Sequence, residues 1–463
     1  MKIDEQIKGF ILEEDKEYPF IYEDNYLLLF PTSRDEWNQQ RINSRKDFIN
    51  NVNEEKVKEN KWIESKRLHG ITNKNNSIIF EVSSNSFSDN GFIGYSVNFI
   101  LVYDNSKVTI NQINGFTTSG RELDVFYNPS RAFSTEFHFN ETDSKVASIV
   151  VNGNSTDYIG EYQKQGIDIE INLSIIPKYK FNQGEPLSAK TNISFAFSKE
   201  CNIDFLLDVY MHLKKFFYYV CGRTNIEFYD LHIHGSGYKN VGVLRFVEDN
   251  NNNESNVDNI IKYELLNSNT IELFKCVSKK EMYFEHLCNS YEERQIYSIA
   301  RIIHNFVAFE REYRNIYGEK SIRSDAYFEV KKDVLESLGL IKEKLSGRKK
   351  DYIKSFMRTI EKSDNKLSSK IENAIKDCKD ILLSFVEHYY GEYSKEKIKE
   401  ISERMNELRN DLTHGNIDIE IEPIHLNDFD IMECLTYAMR LKKIGLEPDN
   451  IQECIRSIRG QKY

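Results

Sequence analysis

A chain of 463 residues exceeds what one ordinary hydrophobic core organises, so two or three domains are expected. Hydrophobic residues at 40% and charged residues at 29% describe a soluble globular protein. The polar start Met1-Lys2-Ile3-Asp4-Glu5 is unlike a secretory signal, and no stretch approaches the ~20 apolar residues of a membrane span, so a cytoplasmic protein without a membrane segment is expected. Seven scattered cysteines form no CxxC pair, which fits reduced thiols. The net charge of −11 argues against a nucleic-acid partner only until its distribution is read. Residues 290–463 hold 31 basic against 32 acidic residues, which places nearly all the acidic excess in residues 1–289.

Along the chain, a charged stretch from Arg34 to Arg67 predicts a helix whose Trp37 and Trp62 pack on a sheet. Short β-branched and aromatic runs follow, separated by Asn, Gly and Ser: Ser77–Val82, Gly94–Val102, Val108–Ile113, Asp124–Tyr127, Ala147–Val151, Ile167–Ile176 and Asn192–Phe197. These predict a mostly antiparallel β-rich domain over residues 1–200. Residues 201–289 read as a mixed α/β extension, with a helix over Ile203–Val220 stopped by Gly222, strands over Ile226–His234 and Val241–Val247, and a polar loop over 248–256. From 290 to 463 the period is helical throughout. Helices are predicted over Glu292–Ile316, Ser324–Leu345, Lys349–Lys362, Leu367–Tyr389, Lys395–His414, Leu426–Ile444 and Asp449–Ile458. Gly318, Gly347, Gly391, Gly415 and Gly445 are the expected stops, and Ser394 and Asn427 the expected caps. The fold class is therefore α+β and multidomain, a β-rich N-terminal region followed by an all-α bundle.

The helix ending at Gly415 carries the chain's best clue to chemistry. Ile398, Ile401, Met405, Leu408 and Leu412 recur at spacings of three and four, which draws one apolar seam facing the bundle. At about 100° per residue, Asn410 and His414 point away from that seam and Arg409 sits at its margin. A fixed guanidinium can hold a phosphate, and an imidazole of ordinary pKa near 6.5 can move protons at neutral pH. Spacing alone is a weak signal, because an arginine followed by a histidine with four to six residues between them recurs at Arg131 and His138, in the β-rich half where no helix face organises them. His232 with His234, and His286 with Cys288, alternate as residues on one strand face do, but no further ligand joins them at diagnostic spacing. Gly235-Ser236-Gly237 reads as a turn, since no G-x-x-x-x-G-K-[ST] follows a strand. Neither a metal nor a cofactor is expected. Glu310, on the first helix of the bundle, can serve as a secondary polar group of the cleft.

Arg409-Asn410-x-x-x-His414, on the penultimate long helix of a C-terminal bundle, resembles the RNase motif of HEPN domains. The closer resemblance is to the ApeA-like HEPN group of bacterial anti-phage proteins, in which a β-rich region precedes the helical domain. Phe306-Val307-Ala308-Phe309-Glu310 looks like that family's first HEPN helix. The resemblance implies a metal-independent endoribonuclease built from two HEPN domains of a homodimer, with Arg409, Asn410 and His414 catalytic and RNA as substrate. It further implies an N-terminal region that senses infection, through a phage-derived trigger, or restrains the nuclease. A second function class is a non-catalytic module that binds RNA or protein, or dimerises.

Overall fold

The computed structural model describes residues 3–13, 16–39, 65–89, 92–104, 111–139, 145–179, 187–247, 258–318, 325–361, 366–413 and 420–460. Two compact units form: residues 1–211 with 227–255, and residues 212–226 with 256–463. Residues 201–289 fall partly in each unit.

The first unit is built on antiparallel strands. They are β1 (Ile7–Glu13), β2 (Lys16–Glu23), β3 (Tyr26–Leu29), β4 (Ser65–Thr72), β5 (Ser77–Asp89), β6 (Phe92–Tyr103), β7 (Ile113–Thr118), β8 (Phe133–Phe139), β9 (Lys145–Val151), β10 (Ser155–Lys164), β11 (Ile167–Tyr179), β12 (Leu187–Cys201), β13 (Leu231–His234) and β14 (Asn240–Phe246). Twelve of them join in the order β10-β11-β12-β7-β13-β14-β6-β3-β2-β1-β4-β5. A further pairing of β5 with β6 closes β1 to β6 into a barrel. Alternate residues of its strands, among them Ile11, Phe20, Leu27, Phe80, Val82 and Ile100, fill the interior. Closure matters physically because it gives each of those six strands a neighbour on both sides.

Turn chemistry sets these hairpins. Asp24 and Asn25 both adopt positive φ, 50° and 68°, and link β2 to β3 as a two-residue loop of the kind that matches strand twist. The strand expected at Asp124–Tyr127 is instead helical, α1 (Arg121–Phe126). Acidic Glu122 and Asp124 suit its first turn, and Leu123 and Phe126, three apart, bury one face. Residues 34–39 are helical as predicted, with Trp37 edge-on to Phe92, whereas Trp62 lies outside the described residues. The polar loop 248–256 and part of the strand expected at 108–113 also lie outside them.

Helix α2 (Ile203–Cys221) begins in the first unit and ends in the second. The second unit continues with α3 (Tyr263–Leu266), α4 (Thr270–Ser278), α5 (Tyr291–Arg294), α6 (Ile299–Tyr317), α7 (Asp325–Glu343), α8 (Gly347–Glu361), α9 (Leu367–Asp377), α10 (Lys379–Tyr390), α11 (Lys395–Thr413), α12 (Pro423–Lys443) and α13 (Pro448–Arg459). Three expectations are corrected here. The first bundle helix starts at Ile299, because Ser298 caps it by accepting the Arg301 N–H at 3.2 Å. The helix expected over Leu367–Tyr389 breaks at Cys378, whose φ of −97° and ψ of 23° leave the helical region. Helix α12 is started by Pro423 and a reciprocal cap between Glu422 and His425, not by Asn427. No described helix is long and apolar enough to cross a membrane.

Gly222 ends α2 with φ of 64°. A Cβ there would stand 2.5 Å from Ile458 Cγ2 and 3.0 Å from Arg294 Nη1. Gly222→Ala is therefore expected to lower stability by about 1–3 kcal/mol, checked as a fall in the midpoint of chemical unfolding.

Candidate functional site

Helix α11 is positioned by its ends and by one face. Ser394 Oγ accepts the Lys397 N–H at 3.1 Å and fixes the start. Ile398, Ile401, Met405, Leu408 and Leu412 are all buried as the seam predicted, and the helix packs on α6, α9 and α12. Each such side chain contributes about 1.5–3 kcal/mol relative to exposure, so the rotation of α11 is strongly determined. A charged clamp adds to it: Arg404 grips Asp428 of α12 with two hydrogen bonds, at 2.8 and 2.9 Å, and the Tyr390 hydroxyl donates to the same fully buried carboxylate.

With the seam locked inward, Arg409 is left at its margin and Asn410 on the far side, both half-buried. Arg409 Nη1 donates to Asn410 Oδ1 at 3.4 Å. Its Nη2 stands 3.8 Å from Glu310 Oε1 of α6, across the groove between the two helices. The Thr413 hydroxyl donates to the Arg409 carbonyl at 2.9 Å and closes the last described turn. Cation, amide and carboxylate thus converge at one helix end, with Glu310 joining the pair that the sequence placed together. His414 and Gly415 lie outside the described residues. No protein family, curated protein or solved structure matches the chain.

Several other titratable groups of this unit lie deeper, in its core. Helix α12 runs through the core, with every residue from Asp428 to Leu441 buried. Glu433 meets Arg301 at 2.7 Å, Arg294 at 3.5 Å and Arg459 at 3.8 Å. Burial alone would raise its pKa, but the three guanidinium groups outweigh that and hold the carboxyl down to about 2. Glu312 shows the opposite balance, since burial pushes it up to about 7 against the pull of Arg440 at 2.6 Å. Sequence reasoning missed both clusters, and also the Arg404 clamp.

His286 and Cys288 share a cavity of only about 10 Å³ with Gly222, Arg301, Glu433 and Tyr437, room for one water at most. The His286 Nδ1 is shut off from solvent, and burial lowers the imidazole to about 4. A folded-state value below the unfolded ~6.5 favours the neutral ring. Its contribution to stability is present above pH ~6.5 and lost as pH falls towards 4. Urea midpoints across that range should fall for the wild type and flatten for His286→Gln.

His232 and His234 lie in the first unit, on β13. His234 Nε2 pairs with Thr117 Oγ1 at 2.7 Å, and His232 Nδ1 accepts from Asn240 Nδ2 at 3.1 Å. Burial lowers the pKa of both rings. Gly235-Ser236-Gly237 is a tight turn, with Gly237 at φ of 71°.

Proposed function

We propose that the second unit is a HEPN-type, metal-independent endoribonuclease acting in anti-phage defence, and that two copies of the chain complete its site. The observation that carries this reading is the half-exposed pair of Arg409, at the margin of the buried α11 seam, and Asn410, which points away from it, with Glu310 facing the arginine. A purely structural arginine on this helix has a different signature, which Arg404 displays: two short bonds to a fully buried carboxylate. Arg409 holds a long ion pair with Glu310 and a 3.4 Å hydrogen bond to Asn410, and a phosphate can compete for it.

In the proposed reaction, His414 removes the proton of a ribose 2′-hydroxyl. The 2′-oxygen attacks the adjacent phosphorus, and the 5′-oxygen leaves with a proton supplied at the site by a second acid, His414 of the other copy. The products are a 2′,3′-cyclic phosphate and a 5′-hydroxyl. Arg409 stabilises the charge that builds on the phosphoryl oxygens, and Asn410 orients the phosphate. The deciding experiment incubates purified protein with end-labelled RNA, with and without chelator, and sequences the ends. Cleavage with cyclic-phosphate ends that persists in chelator supports the reading. Cleavage abolished by chelator, or undiminished by Arg409→Ala or His414→Ala, overturns it. The N-terminal region is the proposed sensor or restraint.

A second reading has its own observation. Helices α7 and α8 hold no buried residue, and Val330, Leu340, Tyr352 and Phe356 are each more than half exposed. Such surface suits a module that binds RNA or protein or dimerises without catalysis. Binding of RNA with intact ends after prolonged incubation would favour that alternative.

A further inference from the structure

The first unit contains a cleft of about 770 Å³, within the range of small-molecule sites. Five neighbouring strands, β11-β12-β7-β13-β14, and residues 227–230 line it. Its walls are chemically divided. At one end the β11–β12 register sets Ile176 opposite Lys190, so Lys178 is the diagonal neighbour of Lys190 on the same face, about 7–8 Å away by strand geometry. Both lysines are exposed, and Lys190 acts on the half-buried Asp124 carboxyl only through its charge, with no salt bridge between them among the described residues. Arg245 differs, because Asp230 takes it up at 2.7 and 2.8 Å. The two exposed lysine ammonium groups are accessible to an anionic ligand.

Beside them stands Tyr229, 42% exposed, with Lys190 Nζ 5.0 Å from its ring centroid. Along β7, β12 and β13 the lining turns to neutral hydrogen-bonding groups: Thr117, Asn192, His232 and His234. Burial lowers the pKa of both imidazoles and so favours their neutral forms. Because Thr117 takes His234 Nε2 and the His234 Nδ1 is shut off from solvent, His232 is the ring that can hydrogen-bond a ligand. With the Asn240 amide donating to His232 Nδ1, the neutral ring carries its proton on Nε2 and is a donor there.

We infer that this cleft binds a nucleoside monophosphate, its phosphate between Lys178 and Lys190, its base on Tyr229 and its polar edges on the β12–β13 groups. A phosphate ion alone would leave most of the volume and the aromatic surface unused. The Glu227 carboxylate also lines the cleft, which disfavours the added charge of a triphosphate. Every lining residue belongs to the first unit, so the inference stands apart from the nuclease reading.

Calorimetric titration of the full chain with AMP, GMP, CMP and UMP tests it, alongside inorganic phosphate and the four nucleosides. The expected result is saturable binding of at least one monophosphate. That binding should weaken about tenfold or more in Lys178→Glu and in Lys190→Glu, and be unchanged in Arg409→Ala. Phosphate and nucleosides should bind about tenfold more weakly than the nucleotide. Both lysines are exposed, so the variants should keep the wild-type unfolding midpoint. Three results overturn the inference: no monophosphate bound at about 1 mM, binding indifferent to both lysine reversals in folded variants, or phosphate bound as tightly as the nucleotide.

Discussion

Arg409→Ala is expected to cut RNA cleavage by about 10²- to 10³-fold while leaving the protein folded. The size follows from the role proposed for the guanidinium, a fixed donor aimed at phosphoryl oxygens as their charge grows. The selectivity follows from its surroundings. Its contact with Glu310 spans 3.8 Å between side chains 38% and 31% exposed, the kind of pair worth less than about 1 kcal/mol. Thermal unfolding should therefore stay near the wild-type value as activity collapses. Lysine at 409 should restore only a fraction, because a point charge does not offer two parallel donors to a phosphate. His414→Ala should lose about 10²- to 10⁴-fold, the usual contribution of a general acid or base. Single-turnover cleavage of one labelled RNA by wild type and the three variants measures all of this. Equal rates for wild type and Arg409→Ala would remove the proposed site.

The placement of Arg409 at the margin of the seam and of Asn410 off it was legible because it depends on one helix and its period. Five apolar residues at spacings of three and four define the buried side of α11, and everything off that stripe must face elsewhere. Ser394 as its cap was legible for the same local reason. What escaped the sequence depends on contacts between distant segments. Arg301 and Glu433 are separated by 132 positions, and nothing near either announces the other. Arg404 looks as exposed in sequence as Arg409, and only the α11–α12 packing turns it onto Asp428. Short runs failed differently. Asp124–Tyr127 is too brief for period to tell a strand from a helical turn, and one non-helical residue, Cys378, splits a stretch whose apolar pattern continues on both sides. The strands β1 to β3 carry mixed faces, so their closure into a barrel rests on pairing that residues 1–33 alone do not display.

Glu433→Gln should be among the most damaging single substitutions in the second unit. Glu433 is 8% exposed, and one carboxylate oxygen takes hydrogen bonds from Arg301 at 2.7 Å and Asn305 at 3.3 Å. Arg301 cannot swing away, since its Nη1 also donates to the carbonyls of Arg294 and Ile296 and its guanidinium lies over the rings of Tyr297 and Phe429. Removing the charge leaves Arg301 and Arg294 buried without a counter-ion, whereas Arg459 keeps Asp430 at 2.6 Å. Breaking one side of such a cluster costs about 3–5 kcal/mol. At roughly 2–4 °C per kcal/mol for a unit of this size, the melting temperature should fall by about 10 °C. The pH dependence has a definite sign. A folded-state pKa of about 2, below the ordinary ~4.3, means the stabilisation is complete above the unfolded value and is lost as pH falls towards 2. The gap between wild type and Glu433→Gln should thus be widest at neutral pH and narrow steadily below pH ~4.5. Melting curves at pH 7 and pH 3 decide it, and a gap that is absent at pH 7, or that grows in acid, would show that the carboxylate is not the hub of the cluster. Because Arg301 and Glu310 sit on the same helix, α6, loosening this hub should also blur the alignment of Glu310 with Arg409, so that part of any activity is lost below the melting transition.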